Sequence, residues 1–166
     1  KKMSWISVVS IGGILVTGAI SLLELSVAWL AVRRSATYLV VALGIYGAQL
    51  LGFEPAKKLA AQIMDLPVLL KKVKDADILD RLFKRASYAA AILFTLITIV
   101  SFAVTRILVT APTNTTLYNQ QYASLRIWGL LLVTAPLLVG FVAIFMYVVV
   151  RLEKLSGLDS EKFLRT

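Results

Sequence analysis

The sequence predicts an all-α polytopic membrane protein: a bundle of four transmembrane helices, with an amphipathic interfacial segment between the second and third spans. Three observations predict it. Of 166 residues, 59% are hydrophobic and 16% charged, whereas soluble domains average about 45 to 50% apolar and about 25% charged. Mean hydropathy is +0.84, more apolar surface than one small core can hide. Apolar runs of roughly 20 residues, enough to cross about 30 Å of hydrocarbon, recur along the chain.

The first run, Trp5 to Val32, is about 28 residues long and contains one charge, Glu24. Its length exceeds the 7 to 15 apolar residues of a signal peptide, and no small-residue cleavage site precedes Arg33, so an uncleaved anchor is expected. The second span, residues 36–53, is the shortest and marginal in length, with a re-entrant segment as the alternative, and Arg33 to Ser35 read as the connection before it. The third and fourth spans cover 87–110 and 125–152. All four belong to a single transmembrane domain over residues 1–166. In the fourth, Pro136 is expected to kink the helix.

The distribution of Lys and Arg orients these spans, because cytoplasmic loops retain positive charge. With residues 54–86 inside, only Arg33, Arg34, Arg106 and Arg126 face outward, and both termini lie on the cytoplasmic or matrix side. The expected location is a prokaryotic cell membrane or an organelle inner membrane. Trp5, Tyr38, Trp128 and Tyr147 stand near span ends, where amphipathic rings suit the headgroup layer.

Residues 54–86 form the one long polar stretch. Pro55, Pro67 and the acids Asp75, Asp77 and Asp80 suggest short helices broken near Asp65 and near Lys74. Leu66, Leu69, Leu70 and Val73 recur at helical spacing, as do Ile78, Leu79, Leu82 and Phe83. Asp77 with Arg81 and Asp80 with Lys84 have the acid-first i, i+4 order that stabilises helices. Lys71, Lys72 and Lys74 would then contact lipid headgroups or a partner subunit, while the same oily stripe can equally cover the base of the bundle. The outer loop from Ala111 to Ser124 is short and polar, and Asn114 heads a glycosylation-type triplet.

Within the spans Glu24 needs a polar partner, because an ionised carboxylate facing lipid costs at least about 2.5 kcal/mol. In the expected topology it lies roughly 6 Å in depth from Arg106, so an intramembrane Glu24–Arg106 pair is expected; a protonated Glu24 or one lining an ion path are the alternatives. Gly44, Ala48 and Gly52 form a small-xxx-small stripe suited to close helix packing.

The chain has no Cys and no His, which removes the usual ligands for zinc, haem and iron–sulfur sites. No cofactor, no metal and no catalytic residue is expected. No Gly-rich phosphate loop, potassium-filter motif or regular Arg series appears. The formal charge of +9 reads as membrane topology, not as nucleic-acid binding. The expected role is non-catalytic: an accessory or scaffold subunit of a larger membrane complex, whose partners are the lipid bilayer and other membrane subunits or copies of itself. The alternative is a small homo-oligomeric channel or transporter with Glu24 lining the path.

Overall fold

The structure, a computed structural model, describes residues 10–15, 27–65, 69, 72–73, 76–113 and 115–159. Among them every regular segment is helical: α1 (Val27–Leu50), α2 (Pro55–Ile63), α3 (Ala76–Leu108), α4 (Thr116–Gly129), a π-helical turn (Leu130–Thr134) and α5 (Ala135–Ser156). Residues 10–15 are helical as well. Three helices are long and apolar enough to cross a membrane: Val27–Leu50, Asp77–Leu108 and the run Thr116–Ser156 that joins α4 to α5. Of the most apolar 18 residues in each, only 17%, 28% and 17% respectively are buried. Their apolar sides therefore face outward, as lipid-facing helices do and water-facing ones do not.

The described residues give three such helices where four spans are expected, and the boundaries change. Most of the expected first span lies outside the described residues. Its final stretch, 27–32, belongs to α1, which runs unbroken through Arg33 to Thr37. The expected connection there is overturned for a simple reason. Between Val27 and Leu43 the chain has no Gly or Pro to stop a helix, and Arg is a good helix former. α1 ends in a Schellman turn, with Phe53 N–H donating to the Ala48 carbonyl at 2.8 Å and Gly52 N–H to that of Gln49 at 3.1 Å. Gly52 has φ +75°, the left-handed region that glycine enters without penalty.

The third span begins earlier than expected. α3 starts at Ala76, so the polar residues before Ser87 continue the membrane helix as one rod of 33 residues. The expected breaks near Asp65 and Lys74 do occur: α2 ends at Ile63, and Val73, whose N–H donates to the Leu69 carbonyl at 2.9 Å, lies outside any helix before α3 begins at Ala76.

The loop expected over Ala111 to Ser124 is also shorter than expected. Thr115 caps α4 by accepting from the Tyr118 N–H at 3.1 Å, which turns Thr116 to Ser124 into helix. Gln121 closes the remaining connection. Its Oε1 accepts from the N–H groups of Thr110 and Ala111 at 3.0 and 2.9 Å, while its Nε2 donates to Thr110 Oγ1 at 3.1 Å. Ahead of Pro136 the helix widens: Ala135 N–H donates to the Leu130 carbonyl, five residues back. Proline cannot donate to the carbonyl four residues before it and clashes there, and a π turn just upstream absorbs the mismatch.

The chain divides into two compact units, Lys1–Gly44 with Ile92–Val139, and Ile45–Ala91 with Gly140–Thr166. In the first, the buried residues of α1 and the C-terminal half of α3 include Ala31, Ser35, Ala42, Ser101 and Thr105. In the second, one apolar cluster joins Ala60 and Met64 to Leu69, to Leu79, Leu82 and Phe83 of α3, and to Val148, Val149 and Leu152 of α5. The expected apolar register of the polar stretch holds at Leu69, Val73, Leu79, Leu82 and Phe83, all buried, while Ile78 is exposed.

Candidate functional site

The most chemically loaded surface lies in the second unit, where α3 begins and α5 ends. Helical spacing puts Ile78, Arg81, Leu82 and Arg85 on one face of α3 and Tyr147, Arg151, Lys154 and Leu155 on one face of α5. These eight residues line an open groove of about 260 Å³. Four cations and a phenol thus share one concavity with three aliphatic side chains. The Arg151 guanidinium lies 5.8 Å from the centre of the Tyr147 ring, within cation–π range. The ion pairs among the described residues, Lys57 with Glu54 and with Asp80, leave all four groove cations out. Arginine forks suit phosphate or carboxylate oxygens, so the lining of this groove has the chemistry to hold an anion.

Beside the groove, Lys57 of α2 reaches across to α3. Its Nζ donates to Asp80 and lies 3.5 Å from Glu54, while Ala56 N–H donates to Ser87 Oγ at 3.2 Å. The hydrogen bond to Asp80, followed by the charges of Asp80 and Glu54, raises the Lys57 pKa above its usual 10.5, with partial burial opposing. Asp80 therefore pairs with a lysine from the preceding helix, in place of the Lys84 one turn on that its spacing suggests.

In the first unit Arg34 lies against α4. A Cβ built on Gly129 would come within 2.6 Å of Arg34 Nη2, so glycine leaves the space the guanidinium occupies. The π turn begins at the next residue.

Several expected site residues are not among those the structure describes. Glu24, Lys71 and Lys74 lie outside the described residues, and with Glu24 goes the expected pair to Arg106, which is exposed in the last turn of α3. Lys72 is exposed. In the expected stripe Ala48 is fully buried and Gly44 half-buried, whereas Gly52 lies beyond the helix end, exposed, in the cap described above. Among the described residues no three of His, Cys, Asp and Glu come together. The groove itself escapes sequence reading, because Arg81 and Arg85 stand far along the chain from Arg151 and Lys154, and only the pairing of α3 with α5 joins them. No protein-family model, curated protein or solved structure matches the chain.

Proposed function

We propose that this is a non-catalytic integral membrane protein acting as an accessory or scaffold subunit of a larger membrane assembly. One observation carries the reading: three hydroxyls within the crossing helices are engaged by their own backbones. Ser35 Oγ donates to the Ala31 carbonyl at 2.8 Å, Thr98 Oγ1 to that of Phe94 at 2.8 Å and Thr105 Oγ1 to that of Ser101 at 2.8 Å. A hydroxyl bonded to its own helix is a packing element. A solute path would instead turn such groups toward a shared lumen.

In the fuller arrangement proposed here, the apolar run that begins at Trp5 provides a further crossing ahead of α1, and α2 lies along the inner membrane surface. Residues 54–75 then face the cytoplasm or matrix, as do both termini. The partners are other membrane subunits or copies of this chain.

Native mass spectrometry of complexes released from the source membrane tests the reading. The scaffold role predicts other polypeptides bound at fixed stoichiometry. A self-assembled oligomer alone, whose flux in proteoliposomes changes in Glu24→Gln without change of assembly, would replace it with the channel reading.

A further inference from the structure

From the groove between α3 and α5 we infer a site for one anionic phospholipid, its phosphate held among Arg81, Arg85, Arg151 and Lys154. The argument begins with the four charges. Arg151 and Lys154 lie in the last turns of α5, where cations complement the helix dipole. That explanation fails for Arg81 and Arg85, which sit toward the N-terminal end of α3, the end at which the dipole favours acids. Positive-inside sorting sets which side of the membrane carries cations, but it does not gather four of them into one concavity.

The lining identifies the ligand as a lipid. Ile78, Leu82 and Leu155 stand beside the cations, a combination that suits a charged headgroup continuous with an acyl chain; a bare ion would need only the charges. The depth agrees. α5 is apolar through Val150 and turns polar at Arg151, and α3 is polar through Arg85 and apolar beyond Tyr88. Both changes of polarity occur at the groove, where the hydrocarbon of a bilayer gives way to phosphate. Tyr147, with its ring against Arg151, provides the amphipathic aromatic expected at that level. Phosphate oxygens accept charge-assisted hydrogen bonds from arginine and lysine alike, and a zwitterionic headgroup would bring its own cation against four others.

The test uses the full chain in neutral detergent, titrated with phosphatidylglycerol, phosphatidylcholine or inorganic phosphate, with adducts read by native mass spectrometry. One phosphatidylglycerol should be retained in preference to phosphatidylcholine. Arg85→Gln with Arg151→Gln should weaken it roughly thirtyfold, from the usual contribution of each cation near an anionic headgroup. If that double variant fails to fold, Arg85→Lys with Arg151→Lys retains the charge and should retain the preference. Replacing Lys71, Lys72 and Lys74 together by Gln should leave the retained lipid in place. Equal retention of the two lipids would overturn the assignment. So would a preference that survives the double Gln variant, is lost in the double Lys variant or disappears with the three-lysine replacement. Displacement of phosphatidylglycerol by excess inorganic phosphate would reassign the groove to the free ion.

Discussion

Two buried faces, one in each unit of the chain, differ in the size of the side chains that fill them. On α1 and the C-terminal half of α3, residues such as Ala31, Ser35, Ala42, Ser101 and Thr105 occupy the buried face of the first unit. The second unit buries Phe83, Met64, Leu69, Leu79 and Leu152 in one cluster. The proposed membrane setting accounts for the difference. Between helices dissolved in lipid there is no hydrophobic drive, so backbones must approach closely to gain dispersion, and small side chains permit it. Where water reaches the protein, bulky apolar groups gain most from burial. The first interior should therefore resist enlargement and the second should resist loss of volume.

The largest expected effect tests the second half of that contrast. Phe83→Ala should cost about 3 to 5 kcal/mol in denaturant or thermal unfolding in detergent, because Phe83 is only 1% exposed and belongs to the cluster. Ala42→Leu should cost about 1 to 3 kcal/mol by overpacking, since Ala42 is 1% exposed. A neutral Ala42→Leu would show that α1 has free space on that face, and the contrast between the units would break.

A smaller effect sharpens the account of the first unit. Gly129 has helical φ of −63°, so Ala would ordinarily be favoured there by about 1 kcal/mol. Against this, its Cβ displaces Arg34 Nη2. Gly129→Ala should therefore be more stabilising in an Arg34→Ala background than alone, with a coupling of at least about 0.5 kcal/mol in a double-mutant cycle. Full additivity would remove the contact.

The smallest effect is electrostatic. The Lys57–Asp80 pair is partly exposed, with side chains 34% and 45% accessible, so Lys57→Met should change stability by no more than about 1 kcal/mol and less at high salt. Because folding raises the Lys57 pKa, this contribution is present in full below the unfolded value near 10.5. It fades as pH rises through the folded value. A variant whose deficit persists undiminished above that range would show that packing, not charge, is what Lys57 supplies.

Local features were legible in the sequence wherever one residue's chemistry decides the backbone. Breaks near Asp65 and Lys74 follow from Pro67 and the acid cluster, and the apolar register at Leu69, Val73, Leu79, Leu82 and Phe83 follows from helical spacing. The differences share a cause: polar residues do not by themselves make a loop. Arg33 and Arg34 are helix interior, because charge does not stop a helix. Thr116 to Ser124 is helix once Thr115 caps it. Pro136 was expected to bend α5, and the π turn before it shows how the backbone accommodates it. The groove was illegible because its halves meet only through tertiary packing.

The central claim is that the long apolar helices cross a lipid bilayer. The chain contains no cysteine, so single cysteines at Lys72 and at Thr116, both exposed, can be mapped in sealed vesicles with a membrane-impermeant maleimide. Separated only by α3 and its flanks, the two should label from opposite sides. Labelling of both from the same side would contradict the crossing of α3.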